Sequence, residues 1–309
     1  MTEGYNALRR GAAWMDVSRR GRIIARGRDR ARLLHNLTSN DVKKLQPGQG
    51  CYAFLLNPQG RIQADLMLFC FPEHFLIDTG SDLREKVRLH IRKYIIADQV
   101  ELEDVTESTG SVALEGPEAA AVLHSLGAPA PAAAYAHEPW GDMTIAAVSL
   151  TGQPGYRLYC GSAQTSGLIA KLSGAGARPA ADEDERVVRI ENGRPLYGED
   201  IRETSLPQET QQMHAVSFTK GCYLGQEIVE RIRAQGRVNK KLVRLAIAGS
   251  EAPAPGSKLL ANGADAGEIT SAVLSPETGE VAALAYVRTN FAEAGTELNA
   301  GGNTARVVP

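Results

Sequence analysis

The chain has 309 residues, 43% hydrophobic and 23% charged, with a formal net charge of −2. That size and polarity suit two or three packed domains and exclude wholesale disorder. A near-neutral total excludes a global drive towards nucleic acid or an anionic membrane. No stretch approaches the ~20 apolar residues of a membrane span. The opening MTEGYNALRRGAAWMDVSRR lacks the apolar core of a secretory signal. Its arginines would suit a transit peptide, but Glu3, Asp16 and the scarcity of serine weigh against one, so a cytoplasmic protein is expected. The distribution of charge is more informative. Nine arginines lie between Arg9 and Arg32 against Asp16 and Asp29, and seven basic residues lie between Val216 and Arg244 against Glu227 and Glu230. Two such regions on a neutral chain point to local acceptance of an anion, although any one arginine alone reads as solvated surface. Cys51, Cys70, Cys160 and Cys222 are widely separated with no C-x-x-C pair, which argues against a disulfide framework or a zinc site.

In chain order, Arg28 to Leu45 reads as a helix and its exit, with Leu33, Leu34 and Leu37 on one face and Pro47-Gly48 ending it. CYAFLLN, the turn Pro58-Gln59-Gly60 and RIQADLMLFCF form a hairpin. In its return strand Ile62, Ala64, Leu66, Leu68 and Cys70 share one face, and Gln63, Asp65, Met67 and Phe69 the other. HFLID predicts a strand, and Ser81–Tyr94 a helix with Leu83, Val87, Ile91 and Tyr94 at three-to-four spacing. SVALEG predicts a strand, followed from Pro117 by a helix running to Gly127. A loop at 128–134 precedes strands at Met143–Leu150 and Tyr156–Cys160 and a helix at Ser162–Leu172. Asp182, Glu183, Asp184 and Glu185 occupy the first turn of a helix leading to Ile190, where carboxylates complement the helix dipole. From Lys241 helical periodicity disappears. LVRLAI, SKLL, AGEITSAVLS, EVAALAYV and TARVV alternate with turns, the pattern of a small all-β barrel.

Ser217–Arg233, SFTKGCYLGQEIVERIR, is the densest candidate for chemistry. Gly221 and Gly225 bracket Cys222 just ahead of a helix-forming run, with Lys220 two residues away. A helix N-terminus and a nearby cation both favour thiolate over thiol. The same spacing equally suits a small buried cysteine beside a glycine turn. Cys51, Cys70 and Cys160 lie in apolar strands and read as core.

Lys220-Gly221-Cys222-Tyr223-Leu224-Gly225-Gln226-Glu227 resembles the K-G-C-aromatic-x-G-Q-E signature of the YgfZ family, within the glycine-cleavage T-protein superfamily. The likeness extends along most of the chain. Met15–Ser18 is similar to the superfamily's F-D-V-S, Leu37–Val42 to its L-x-T-N-D-V, Leu56–Ile62 to its L-N-x-x-G-x-I, and Arg189–Ile201 to its R-x-E-x-G-x-x-x-Y-G-x-D-I. The resemblance implies an α+β fold: a mixed α/β folate-binding body in two subdomains over 1–240, then a C-terminal β-barrel over 241–309. It implies tetrahydrofolate or a one-carbon derivative as cofactor, with Glu191 contacting the pterin. A carboxylate can accept from the ring's adjacent amino and N–H groups. Tyr197 is expected nearby. Arg233, among Arg231, Arg237, Lys240 and Lys241, is a candidate for the anionic folate tail. T-proteins carry an Asp-Asp pair after the G-x-I turn, one of them catalytic, whereas this chain has Gln63-Ala64-Asp65. With the cysteine signature, this favours an accessory factor for iron–sulfur enzymes, including ones that modify tRNA, with Cys222 as working thiol, Lys220 as its partner and iron–sulfur clients as partners. The alternatives are a folate-dependent aminomethyl or methyl transferase using Asp65, and a folate-sensing interaction protein. Neither a membrane nor direct nucleic-acid contact is expected.

Overall fold

The computed structural model describes residues 1–309. Helix α1 (Glu3–Arg10) leads into β1 (Ala13–Asp16) and β2 (Gly21–Arg26), then α2 (Arg30–Leu37). The hairpin β3 (Gly50–Leu56) and β4 (Ile62–Cys70) is followed by β5 (His74–Thr79), α3 (Arg84–Lys93), β6 (Glu101–Asp104) and β7 (Thr109–Glu115). Next come α4 (Ala119–Ser125), β8 (His137–Trp140), β9 (Met143–Ala146), β10 (Gly155–Gly161), α5 (Thr165–Gly174), β11 (Arg178–Pro179), α6 (Asp182–Glu191) and α7 (Gln226–Gln235). Strands β12 (Lys240–Ile247), β13 (Lys258–Ala261), β14 (Ala264–Leu274), β15 (Val281–Arg288), β16 (Glu297–Ala300) and β17 (Asn303–Val308) close into a barrel in the order β12-β15-β14-β13-β16-β17. The body holds two sheets, a five-stranded one ordered β3-β4-β5-β2-β6 and a six-stranded one ordered β11-β1-β7-β10-β9-β8. A mixed α/β body with a closed C-terminal barrel is thus the fold. The two sheets are interleaved in sequence, since β1 pairs with β7 while the chain between them builds the other sheet.

Strand β4 shows why the layers stack as they do. Its even-numbered side chains Ala64, Leu66, Leu68 and Cys70 join a 17-residue core with α2 and α3. Its odd-numbered Met67 and Phe69 pack against Ala146, Val148 and Tyr159 of the opposite sheet. Each sheet is therefore covered by helices outside and by the other sheet inside, and both faces of β4 read as hydrophobic. Asp65 interrupts that inner face. At the hairpin turn Asn57 Oδ1 accepts from the amides of Gln59 and Arg61, and Gly60 lies at φ +70° where a Cβ would sit 2.8 Å from Ile228. Both the backbone conformation and the close approach of α7 require glycine there.

Several boundaries depart from the sequence expectation for local reasons. Only Arg30–Leu37 of the first helix is α-helical, and Val42–Lys44 is a single 3-10 turn. The strand expected to reach Leu150 stops at Ala146, because residues 149–151 fold onto the buried Glu115 carboxylate, which accepts from the Leu150 and Thr151 amides at 2.6 and 3.0 Å. The barrel contains β16, whose short ELNA run carries little pattern. No helix is long and apolar enough to cross a membrane.

Candidate active site

Where β4, the β1–β2 turn and α6 meet, a cavity opens in two lobes that share Arg20, Asp65, Leu150, Glu185 and Leu196. The larger lobe, about 280 Å³, has Met15, Val17, Leu83 and Tyr197 on its walls. The smaller, about 70 Å³, is bordered by Tyr52, Tyr135, Arg194 and His214. Asp65 stands at the junction and accepts from Tyr52 Oη at 2.9 Å. Burial pushes its carboxyl pKa up, against the pull of the Arg20 charge and the Tyr52 hydroxyl. Arg20 is itself held from below, its Nε donating to Asp78 Oδ1 at 2.6 Å. The fully buried Asp78 also accepts from Arg157 Nη1 at 3.2 Å and Tyr159 Oη at 2.8 Å. Burial alone would raise the Asp78 pKa, but the Arg20 and Arg157 charges outweigh it and hold the carboxyl below its usual range. Asp78 is thus a fixed anion and Asp65 a carboxyl able to hold a proton.

A second cavity carboxyl escaped the sequence reading. Glu185 belongs to the acidic run expected to serve only the dipole of α6. Asp182 and Asp184 do serve at that end: Asp184 Oδ2 accepts from the Ala181 amide at 2.9 Å, and Asp182 pairs with Arg19 at 2.7 Å. Glu185 turns into the cavity instead, and burial, reinforced by Glu115 and Asp182, lifts its pKa to about 7 against Arg189 and Arg19. Tyr135 and Arg194 were missed as well, because no motif marks them.

Of the expected site residues, the structure brings only Asp65 and Tyr197 to the cavity. Tyr197 lines the larger lobe and donates to the Gln63 carbonyl at 2.7 Å. Glu191 sits on another side of α6, at the seam with the barrel, accepting from Tyr5 Oη at 2.9 Å and Ser275 Oγ at 2.6 Å. Glu191 therefore lies outside the lobes around Asp65 and lines a separate cavity of about 220 Å³ at that seam. Lys220 is buried, and its Nζ donates to the carbonyls of His35, Thr38 and Asn40 at the exit of α2. These contacts direct its Nζ towards α2 and tie the 217–225 loop there, while burial lowers its pKa to about 7. Cys222 is exposed in that loop, away from the cavity, while Cys70 and Cys160 are buried and Cys51 half-buried. Gly225, at φ +83°, lets the loop rest on the Asn57 carbonyl, 2.5 Å from where a Cβ would be. Arg233 lies on the outer face of α7 over the Phe218 ring and beside Glu230, in a separate surface groove.

This architecture, with carboxyls in a cavity framed by two sheets and a closed barrel behind, suits a small-molecule site. Residues 1–220 match the GCVT N-terminal domain, and residues 240–308 match the glycine cleavage T-protein C-terminal barrel domain. The aminomethyltransferase of Rubrobacter xylanophilus is 32% identical over 290 residues, covering 92% of this chain and 78% of that protein. The aminomethyltransferase of a Nostoc species is 29% identical over 311 residues, covering 96% and 82%. The glycine cleavage system aminomethyltransferase T of Bartonella henselae, 24% identical, shares the fold at a TM-score of 0.90 over 99% of this chain and 87% of its own. The chain belongs to the glycine-cleavage T-protein (aminomethyltransferase) family, which binds tetrahydrofolate and its one-carbon derivatives. These relatives overturn the iron–sulfur accessory role expected from the Lys220–Glu227 signature. The physical reason is local: that segment joins α2, the β3–β4 turn and α7, and Gly225 and Lys220 have turn and packing roles there.

Proposed function

We propose that this protein is a folate-dependent one-carbon transferase that moves an aminomethyl-type group. The observation carrying this reading is the Asp65 carboxyl, on the strand face it shares with Gln63, Met67 and Phe69, lining the central cavity of a chain of this family. The resemblance of Lys220–Glu227 to the YgfZ signature supports descent within that branch, a finer assignment that we propose without an iron–sulfur role.

The cavity suits a pterin. Met15, Val17, Leu83 and Leu150 offer apolar walls for a flat ring, and the carboxyls of Asp65 and Glu185 face the space between them with acceptor capacity for amino and N–H groups. Tetrahydrofolate, when bound, supplies the nitrogen nucleophiles that take up the carbon. Transfer of an aminomethyl group to a folate N–H would require one proton to leave that nitrogen and one to reach the departing group. Asp65 holds the means for both. Its raised pKa allows it to take a proton in the interior, and Tyr52 Oη fixes the carboxylate's orientation. The Asp78 anion keeps Arg20 beside Asp65, so the negative charge left on Asp65 after proton loss has a cation close by.

Calorimetry with tetrahydrofolate tests the reading. One saturable site is expected, weakened about tenfold or more by Asp65→Ala, which removes a charge-assisted partner worth ~1.5–3 kcal/mol. Absence of saturable binding by the wild-type protein would overturn it.

A further inference from the structure

At the junction of the two lobes the charged side chains have partners, with one exception. Arg20 is bound to Asp78, Arg189 to Asp200 and Glu199, and Arg19 to Asp182. Arg194 is hydrogen-bonded to the Tyr135 hydroxyl and reaches the Ser149 carbonyl at 3.5 Å, its stem lying against Gly152, where a Cβ would stand 2.8 Å from Cγ. Asp65 accepts from Tyr52 Oη at 2.9 Å. Glu185 is the exception. It lines both lobes, yet no donor or ion-pair partner meets its carboxyl oxygens.

The acidic start of α6 does not account for it. Asp184 Oδ2 caps the helix by accepting from the Ala181 amide at 2.9 Å, Asp182 pairs with Arg19, and Glu183 is exposed. Glu185 makes no capping contact and is half-buried, with its head group in the cavity. A carboxylate held away from water without a partner is costly. Burial, with Glu115 and Asp182 nearby, accordingly favours its protonated form against the more distant pull of Arg189 and Arg19. The guanidinium groups of Arg19, Arg20 and Arg189 are each neutralised by an acid of their own, so none competes for Glu185 at close range. The chemistry that complements such a group is a compact cation with several N–H donors, which is a protonated primary amine.

We propose that Glu185 is the receptor for the amino group of the aminomethyl donor, its carboxylate pairing with the protonated amine while the donor's carbon lies beside Asp65. The two carboxyls at the junction thereby have separate tasks. Asp65, oriented by Tyr52, exchanges protons with the reacting groups, and Glu185 holds the amine without making or breaking a covalent bond. The smaller lobe, about 70 Å³ at roughly 10–15 Å³ for each water-sized centre, admits a few heavy atoms and excludes a pterin, so the amine end fits on that side of the junction. The inference rests on the reading of the cavity as a one-carbon transfer site, and it names the residue that recognises the donor's cationic end.

The test titrates the full-length protein with methylamine, the smallest probe of the donor's amine, and with methanol, its uncharged isostere. Both titrations are run at pH 8, where the Glu185 carboxyl is largely ionised, at constant ionic strength, and are followed by ligand-observed NMR. Methylamine is expected to saturate one site at least tenfold more tightly than methanol. Glu185→Gln is expected to abolish that preference and Glu185→Asp to retain part of it, with tetrahydrofolate affinity, measured by calorimetry, within threefold of the wild type in both variants. Circular dichroism establishes that both variants are folded. Equal binding of methylamine and methanol, no saturable methylamine binding, or unchanged methylamine affinity in Glu185→Gln each overturns the proposal. A tenfold loss of tetrahydrofolate affinity in Glu185→Gln beside unchanged methylamine binding would assign Glu185 to the folate and overturn it as well. Failure of the wild type to bind tetrahydrofolate beside the expected methylamine titrations would overturn the folate reading and leave the amine site standing.

Discussion

Replacing Glu185 by glutamine should alter the pH dependence of stability in a way that only a buried, proton-holding carboxyl can produce. The side chain's ordinary pKa is 4.5, and burial in the cavity raises it to about 7 in the folded protein. The fold therefore favours the neutral form. Between these values the native state binds the proton more than the unfolded chain does, so stability falls as pH rises from 4.5 and the loss is complete above about 7. At 1.36 kcal/mol per tenfold change in protonation, the move corresponds to about 3 kcal/mol, an upper figure because the cavity is open to water. Glutamine keeps the shape and has no proton to lose. Urea denaturation of both proteins at intervals between pH 4.5 and 8 provides the free energies. The variant should gain on the wild type as pH rises, by up to ~3 kcal/mol at pH 8 relative to pH 4.5. Parallel curves would refute the burial argument.

Three further outcomes follow from the same geometry. Asp78→Asn leaves Arg20 and Arg157 in the interior without their anion and should cost about 3–5 kcal/mol in urea denaturation, well above the loss from an ordinary surface change. Glu191→Gln should leave tetrahydrofolate affinity within threefold, while weakening the seam where Tyr5 and Ser275 meet its carboxylate by about 1–2 kcal/mol in thermal unfolding. Cys222 should be alkylated in the native protein before Cys70 and Cys160, which should react only after denaturation, as peptide mapping would show; Cys222→Ser should keep transferase activity within twofold.

The parts of this fold legible in the sequence are those set by local period. The alternation of Ile62 to Cys70 identifies β4 and both of its buried faces, and the loss of helical spacing after Lys241 marks the barrel. Asp65 is reached through the family resemblance, as the one acid standing where T-proteins carry an Asp-Asp pair. The errors arise where spatial proximity was inferred from proximity along the chain. Lys220 is two residues from Cys222, but its ammonium reaches 180 residues or more back to the carbonyls at the end of α2. Glu185 and Glu191 share one helix six residues apart. At 3.6 residues per turn that separation is roughly 120° around the axis, so the two cannot face one cavity. Which of them does is set by the rotation of α6, fixed by buried Val188, Arg189 and Ile190, and four consecutive acids at its start carry no sign of that rotation. Arg194 and Tyr135 matter because of neighbours far away in the chain, Gly152 and Gly50, and no short motif records such a pairing.

The central claim is tested most directly by one-carbon transfer in wild-type and Asp65→Asn proteins. Each is given tetrahydrofolate and an aminomethyl thioether, with ammonia release and methylene-tetrahydrofolate formation followed together. Asparagine preserves the size and much of the hydrogen bonding to Tyr52 but carries no exchangeable carboxyl proton. The account predicts turnover by the wild type, a fall of about 10²-fold or more in the variant, as expected on losing a general acid–base, and tetrahydrofolate affinity weakened about tenfold at most. No turnover by the wild type, or equal turnover by the two proteins, would contradict it.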